Sequence, residues 1–432
     1  LDIEMPAARH YGSALRDAVE QGQLPEAVVD EAVRRVLRVK DCFDLREGAL
    51  PSRPPPGDLA SLSSGQHPAH AELALQAARQ GTVLLKNAAW RDQIPALPLD
   101  PGSDGDLVVL GPLSNLENIG DLGSSAVTPH HVVTLLQGLR ARSDGLQVVH
   151  ISDTTLSEQQ RSQVRAATAA VVAVGLSGAQ EGEGLIASGD RSDLALPAGQ
   201  DALVAEVAAL QPRTIVVLEG GGALQVEAWV AQVPAVLMAW YPGQEGGTAL
   251  AELIFGSTNP SGKLPVSFPR SGLDLPEFDN QSLQVRYGRF HGYQHLDRSG
   301  IEPRFPFGHG LGYSAFAYSD LQLSEARLAP DDTLELSFDL KNLGPYDGTE
   351  VVQVYLQTEG SALPRPALAL LAFARISLSS SEQRKVSLQL PMARLASYDT
   401  GAERWAVEAL RYTLHVAASS RDLRLAASFE VS

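Results

Sequence analysis

Between residues 107 and 255, short β-branched runs alternate with longer segments of helical periodicity. The runs are predicted strands: Leu107–Leu110, Gln147–Ile151, Ala170–Val174, Thr214–Leu218 and Ala235–Ala239. The helical segments are Val132–Arg142, Glu158–Ala167, Gly199–Leu210, Leu224–Val230 and Thr248–Phe255, and a further one, Ala69–Gln80, precedes the first strand. Strands that alternate with helices form βαβ units around a mostly parallel sheet with helices on both faces. The sequence therefore predicts an α/β sandwich domain over residues 69–270.

The regions on either side of this domain follow other patterns. Residues 1–50 contain a predicted helix, Glu26–Lys40, and residues 51–68 form a linker rich in Pro, Gly and Ser. Residues 271–312 are a loop-rich connection. Over residues 313–432, period-two alternation predicts an all-β sandwich of the size of an immunoglobulin or fibronectin-type module. The predicted strands are Thr333–Leu340, Glu350–Gln357, Lys385–Leu390, Tyr412–Ala417 and Leu423–Phe429.

Composition excludes several classes of partner. The formal net charge of −17 disfavours nucleic acid and anionic membranes. No apolar run approaches the ~20 residues that a membrane-spanning helix needs. Cys42 is the single cysteine, so no disulfide and no thiolate metal site forms within one chain. One cysteine does not fix the compartment, for which a periplasmic or secreted location is favoured over the cytoplasm.

A series of short motifs resembles family 3 glycoside hydrolases of the β-glucosidase type. The segments occur in the family's order over nearly the whole chain: Leu1–Pro6 (LDIEMP), Arg35–Lys40 (RVLRVK), Gly81–Asn87 (GTVLLKN), Gly120–Ser125 (GDLGSS), Glu181–Gly184 (EGEG), Gly189–Arg191 (GDR), Leu196–Gln200 (LPAGQ), Trp240–Gly247 (WYPGQEGG), Asn259–Pro265 (NPSGKLP) and Pro306–Tyr313 (PFGHGLGY). Each motif is weak alone, and together they are specific.

The resemblance implies a (β/α)8 barrel, the α/β sandwich and the fibronectin-like domain in that order. Residues 1–50 then correspond to the last strand and helix of the barrel. A complete barrel of this kind takes about 250 residues. In the family the nucleophile is an Asp upstream of the LDIEMP segment, so these 432 residues lack it. We expect the polypeptide to be inactive alone and to need the barrel, in cis or as a second chain. The family uses no metal, so no cofactor is implied.

Retaining glycoside hydrolysis also needs a carboxylic acid near the nucleophile. Glu183 and Glu181 lie in a Gly-rich loop just after the predicted strand Ala170–Val174. By resemblance, Glu183 is the general acid/base and Glu181 the alternative, whereas from spacing alone both fit solvated loop carboxylates. The residues Ile186–Gly189 interrupt the commoner family pattern between the glutamates and Asp190, which leaves the choice between the two open.

Other candidate residues carry two interpretations each. Asp190 and Arg191 either contact substrate or form an ion pair that fixes the loop. Trp240, with Tyr241, either stacks on a sugar or packs at a strand end. The EGGG segment at Glu219 lacks the spacing of a phosphate loop. The histidines 291, 295 and 309 fit interdomain packing better than metal binding.

The motifs therefore predict hydrolysis of terminal non-reducing β-D-glucosyl residues by double displacement, with a β-glucoside or oligosaccharide as substrate. A β-xylosidase or an N-acetylglucosaminidase of the same family is an alternative, the second disfavoured because such members often lack the sandwich. A non-catalytic carbohydrate-binding or scaffold fragment is an alternative of a different class. The linkage and the oligomeric state, a homodimer included, are left open by the sequence.

Overall fold

The structure, a computed structural model, describes residues 1–5, 7–42, 68–120, 123, 126–182, 191–277, 279 and 282–432. The chain divides into two compact units, residues 1–66 and 67–432. Of the linker predicted over residues 51–68, residues 51–67 lie outside the described part, and Pro68 begins a helix. None of the helices described is both long and apolar enough to span a bilayer.

The first unit contains two helices, α1 (Ser13–Glu20) and α2 (Glu26–Cys42). Asp2 of the LDIEMP motif accepts two hydrogen bonds of 2.7 Å from Arg35, which belongs to the RVLRVK motif on α2. The Arg35 guanidinium holds the pKa of Asp2 below its usual value. The two motifs therefore contact each other, and the ion pair between them fixes the N-terminal segment to the helix.

The helices of this first unit expose their apolar residues. Neither α1 nor α2 has a buried residue among those described, and Val33 and Leu37 on α2 are about half exposed. An amphipathic helix normally buries its apolar stripe against a neighbouring element. On α2, Val29 and Val36 are partly buried, whereas Val33 and Leu37 remain exposed.

The second unit begins with helix α3 (Pro68–Gly81) and a six-stranded mixed sheet. Its strands are β1 (Val83–Asn87), β4 (Asp106–Leu110), β5 (Gln147–Ile151), β6 (Ala169–Gly175), β7 (Thr214–Glu219) and β8 (Ala235–Trp240), and a small hairpin, β2 (Ala89–Arg91) and β3 (Ile94–Pro95), follows β1. The order across the sheet is β1-β8-β7-β6-β4-β5. All pairs are parallel except β1 with β8.

Helices cover both faces of this sheet. They are α4 (Leu135–Arg142), α5 (Glu158–Ala166), the one-turn α6 (Gly178–Glu181), α7 (Gln200–Leu210) and α8 (Gly246–Phe255). Leucines of α4 and α8 pack on one face, and Val164 of α5 joins residues of α7 on the other. Strand β6 is buried along its whole length, as a continuous apolar run in the middle of a parallel sheet requires.

Two local predictions in this region were wrong. Residues 224–230 form turns and not a helix. Leu224, Val226, Trp229 and Val230 are buried there, and their spacing imitates a helical pattern. In the connection that the sequence predicts as loop-rich, Gly292–Ser299 forms helix α9, an eight-residue helix whose buried residue is Leu296.

The C-terminal part is a β-sandwich. Its strands are β9 (Phe316–Leu323), β10 (Arg327–Leu328), β11 (Thr333–Asn342), β12 (Gly348–Thr358), β13 (Ala369–Leu378), β14 (Gln383–Pro391), β15 (Ser397–Asp399), β16 (Arg404–Ala406), β17 (Arg411–Ser419) and β18 (Asp422–Val431). One sheet has the order β10-β18-β17-β12-β13 and the other β14-β11-β9, while β15 and β16 form a separate hairpin. The sequence does not predict the edge strands β9 and β13.

Polar contacts join the α/β part to the sandwich. The ammonium of Lys263 lies 2.8 Å from Oε1 of Glu350 on β12, and both side chains are largely buried. Tyr313 donates from its hydroxyl to the carbonyl oxygen of Leu253 at 2.6 Å, and its ring contacts that of Tyr346 edge-on. These contacts cross from the helix-covered sheet to the sandwich and explain why residues 67–432 form one compact unit.

Candidate functional site

The carboxyl ends of the parallel strands lie at one edge of the sheet. Because the chain runs from β4 out to β5 and returns to β6 on the other side of β4, the connections after β4 and β6 leave in opposite directions. Such a reversal of strand order forms a crevice in which open α/β sheets bind ligands. The segments after β4, β6, β7 and β8 are therefore where a functional site is expected.

The loop after β6 is held closed at its base. Gln200, the last residue of the LPAGQ motif, accepts a hydrogen bond from the Gly175 amide at 2.7 Å and donates to the Gly175 carbonyl at 3.0 Å. Gly175 has φ 140°, and a Cβ there would lie 1.9 Å from the carbonyl oxygen of Glu219. Only glycine fits this position, because the backbones of β6 and β7 approach too closely for any side chain.

A second set of bonds joins the two sides of this loop farther out. Arg191 donates from Nη1 to Oε1 of Glu181 at 3.0 Å and from Nη2 to the carbonyl oxygen of Ala223 at 3.1 Å. Oε2 of Glu181 accepts from the Tyr241 hydroxyl at 2.6 Å and from the amide of Gly221. The carboxylate thus links the segments that follow β6, β7 and β8, and its charge is matched by a largely buried guanidinium.

The predicted site residues are only partly described. Glu183 and Asp190 lie in residues 183–190, outside the described part of the chain, so their proposed roles stay predictions. Glu181 and Arg191 flank that segment and contact each other. For Arg191, the contact is the ion pair that the sequence offers as an alternative to substrate binding.

Trp240 lies at the end of β8 with its backbone in the left-handed region, at φ 59°. Its indole N–H donates to the carbonyl oxygen of Gly81 at 3.1 Å, and its ring meets Phe268 edge-on with centroids 6.5 Å apart. These are the contacts of the packing alternative. A sugar-stacking role for Trp240 stays a prediction.

A buried pair that sequence reasoning missed lies beside this cluster. Glu219, the last residue of β7, is 3% exposed and accepts a hydrogen bond from Nδ2 of Asn118 at 2.9 Å. Burial raises the pKa of Glu219 to about 8, and the bond from Asn118 opposes that rise. The only signal in the sequence is a carboxylate that ends an otherwise apolar strand. Next to it, the Gly220 and Gly221 amides bond to Trp240 and Glu181, not to an open loop of the phosphate-binding kind.

The histidines singled out by the sequence have structural contacts. His309 is hydrogen bonded through Nε2 to the carbonyl oxygen of Leu85 at 2.9 Å, and its ring stacks on Phe305. Burial lowers the pKa of His309. His291 precedes α9, and its ring meets that of Tyr287 edge-on. Within the part of the chain that the structure describes, no three His, Cys, Asp or Glu residues are grouped so that they could hold a metal ion.

Comparison with known proteins identifies two matching families. The Glycosyl hydrolase family 3 C-terminal domain matches residues 82–313, and the Fibronectin type III-like domain matches residues 350–420. Thermostable beta-glucosidase B of Acetivibrio thermocellus is 32% identical over all of this chain and 56% of the relative. The Periplasmic beta-glucosidase of Salmonella typhimurium is 29% identical over 91% of this chain and 54% of the relative.

A solved structure of the same kind covers the whole chain. The beta-D-glucoside glucohydrolase of Trichoderma reesei superposes with a TM-score of 0.84 at 28% sequence identity, over 100% of this chain and 65% of that one. The chain therefore spans a little over half the length of the first relatives it matches.

Proposed function

Because the chain belongs to glycosyl hydrolase family 3, we propose that the complete protein hydrolyses terminal non-reducing β-D-glucosyl residues with retention of configuration. Glu183 is the general acid/base, and an aspartate outside these 432 residues is the nucleophile. The observation that carries the proposal is the Glu181–Arg191 ion pair at the carboxyl edge of the sheet, between the two residues that flank 183–190. The β-glucosidase names of the relatives support the sugar class.

The reaction has two displacement steps. In the first, the aspartate attacks the anomeric carbon, the bond to the leaving oxygen breaks, and Glu183 gives that oxygen its proton. In the second, Glu183, now a carboxylate, takes a proton from water, whose oxygen attacks the anomeric carbon and releases the aspartate. Each step inverts the anomeric centre, so the product keeps the configuration of the substrate.

The contacts of Glu181 favour Glu183 for this role. A general acid must bring an oxygen within about 2.6–3.2 Å of the glycosidic oxygen. Both oxygens of Glu181 already accept hydrogen bonds, from Arg191 on one side and from Tyr241 and Gly221 on the other. Glu181 therefore fits an anchor for the loop, and Glu183, two residues on, fits the acid.

The barrel that supplies the nucleophile also accounts for the first unit. We propose that residues 1–50 are the end of that barrel, with 69–270, 271–312 and 313–432 as the α/β domain, the connection and the sandwich. The exposed apolar side of α2 supports this, because a barrel helix buries that side against its strands. The 432-residue polypeptide alone then lacks a nucleophile and does not turn over a β-glucoside.

Asp190 and Trp240 are kept as candidate sugar contacts, and Arg191 is assigned to the loop. A β-xylosidase of the same family would use the same loop, with the sugar chosen by barrel residues. The Salmonella relative, which is named periplasmic, supports a periplasmic or secreted location.

Glutamine substitutions in the complete enzyme test the assignment. Glu183→Gln should lower kcat/KM by about 10²–10⁴-fold on glucosides with poor leaving groups, because acid assistance is lost. It should retain most of its kcat/KM on 2,4-dinitrophenyl β-glucoside, whose leaving group needs little proton transfer, whereas kcat should fall because deglycosylation has lost its base. Azide should restore deglycosylation and yield β-glucosyl azide.

Two matched variants complete this test. Glu181→Gln should reduce activity on good and poor leaving groups alike, and Glu158→Gln, an exposed carboxylate on α5, should leave it unchanged. A leaving-group dependence in Glu181→Gln that is absent from Glu183→Gln would transfer the role to Glu181. Glycan binding without any hydrolysis by the complete protein would favour the non-catalytic alternative.

A further inference from the structure

The side-chain amide of Asn118 joins the segment after β4 to the ends of β6 and β7. Asn118 follows β4 and is 6% exposed. Its Nδ2 donates to the carbonyl oxygen of Leu176, the first residue after β6, at 3.0 Å, and to Oε2 of Glu219 at 2.9 Å. A side-chain amide has two N–H donors, so one hydrogen serves each bond. The buried Asn118 side chain therefore fixes the segments that follow β6 and β7 relative to the segment that follows β4.

The backbone around Glu219 carries the same connection to the loop after β6. The carbonyl oxygen of Glu219 accepts from the Leu176 amide at 2.9 Å. The amide of Gly221, two residues on, donates to Oε2 of Glu181. The backbone at Glu219 and Gly221 therefore contacts both Leu176, the first residue of the loop, and Glu181, the glutamate that anchors it.

The charge of Glu219 matters because of its surroundings. From the loop after β6, Glu181 and Arg191 face this region, and from the end of β8, Tyr241 does. Among the described residues of the segment after β4, the neutral Asn118 contacts Glu219. A Cβ on Gly220 would lie 3.5 Å from Oε2 of Glu181, so that carboxylate lies next to the residue that follows Glu219. No cation among the described residues forms an ion pair with Glu219 itself.

A neutral Glu219 therefore suits the site, and an ionised one does not. Burial raises its pKa to about 8, so the carboxyl is uncharged near neutral pH. Above that pH, an unpaired anion appears in a water-excluded place close to a second carboxylate. Both the lost hydration and the like charge oppose this state.

We propose that Asn118 and Glu219 are positioning residues for the loop after β6. They hold this loop through Leu176 and Gly221 while Glu219 is neutral, and they release it when Glu219 ionises. This inference rests on the proposed function of that loop. It assigns an alkaline limit of activity to a group that touches neither substrate nor nucleophile.

Hydrogen exchange in the 432-residue chain tests the structural half. After correction for intrinsic rates, protection of the Leu176 and Gly221 amides should fall at least tenfold between pH 7 and pH 9, relative to amides of β12. In Glu219→Gln, which keeps a neutral acceptor for Asn118, the fall should be absent. Asn118→Ala should show low protection of both amides already at pH 6. Equal pH dependence in wild type and Glu219→Gln would overturn the proposal.

The pH profile of the complete enzyme tests the catalytic half. In Glu219→Gln, the pH at which kcat declines on the alkaline side should rise by a pH unit or more, with KM little changed. A purely structural role would instead lower kcat at every pH. An alkaline decline at the same pH in wild type and variant overturns the positioning role. Suppose that hydrogen exchange and the alkaline decline of kcat both change in Glu219→Gln as expected, but that the activity of Glu183→Gln does not depend on the leaving group. The positioning role then stands and the acid/base assignment fails.

Discussion

Arg191 donates from Nη1 to Oε1 of Glu181 across 3.0 Å, and this ion pair joins the two ends of the segment that contains Glu183. A segment held at both ends samples fewer conformations than one held at a single end. Catalytic groups are more effective when their positions are fixed before the substrate arrives. The ion pair therefore joins the described residues on either side of 183–190, and in the function proposed above it would help to position Glu183.

Removal of Arg191 should weaken both the fold and the reaction. Arg191→Ala leaves Glu181 without its cation in a largely buried place, which costs about 3 kcal/mol in the free energy of unfolding. In the complete enzyme, kcat should fall about 10–100-fold with a smaller change in KM, because the loop is positioned less well. Urea denaturation and steady-state kinetics measure the two effects. Arg165→Ala, which breaks an exposed pair with Glu158, is the control and should change neither the free energy of unfolding nor kcat.

The stability of the chain should depend on pH through Glu219. Its pKa in the folded state, about 8, lies above the ordinary value of 4.5. Below pH 4.5 both states hold the proton, and between these values only the folded state does, so the free energy of unfolding falls as pH rises. The slope is about 1.4 kcal/mol per pH unit and ends near pH 8.

Comparison with Glu219→Gln isolates this contribution. The amide does not titrate. The free energy of unfolding of the variant should therefore rise relative to that of wild type from pH 5 to pH 8, and the difference should stay constant above pH 8. Urea unfolding at five values between pH 5 and pH 9 gives the two curves. Parallel curves over this range would show that Glu219 ionises in the folded state as easily as in water.

The Lys263–Glu350 pair should contribute to stability only as a pair. Lys263→Met leaves Glu350 buried without its cation, and we expect a loss of about 3–5 kcal/mol in the free energy of unfolding. The double variant Lys263→Met with Glu350→Leu should recover most of this loss, because neither charge then remains. A control, Arg327→Ala, breaks an exposed pair with Glu430 and should change stability by less than about 1 kcal/mol.

Gly175 should tolerate no side chain. In Gly175→Ala the new methyl group would lie 1.9 Å from the carbonyl oxygen of Glu219, at a φ of 140°. We expect a loss of about 3 kcal/mol or more, from overpacking and backbone strain together. Gly272→Ala is the matched control, since nothing lies within 4 Å of its Cβ position. Thermal unfolding of the two variants should differ clearly, and similar curves would contradict this account of the strand contact.

The order of strands and helices in the α/β part could be predicted from the sequence. Buried strands such as Ala169–Gly175 are continuous apolar runs, and the turns between elements are marked by Gly, Pro and polar residues. The motifs also predicted the family, which the match over residues 82–313 confirms. Both signals are local along the chain. The strand Ala369–Leu378 escaped prediction because the exposed Phe373 is apolar and interrupts the alternation of apolar and polar residues.

The pairing of charged and polar groups was decided only by tertiary structure. Asn118 and Glu219 are 101 residues apart, and nothing in either segment indicates that they meet in a water-excluded place. Glu181 looks like any solvated loop carboxylate until Arg191, Tyr241 and Gly221 converge on it. Hydrophobic periodicity is written in neighbouring residues, whereas desolvation and charge pairing depend on which distant segments the packed sheet brings together. For that reason the sequence located the loop, and the folded chain determined which of its groups are anchors.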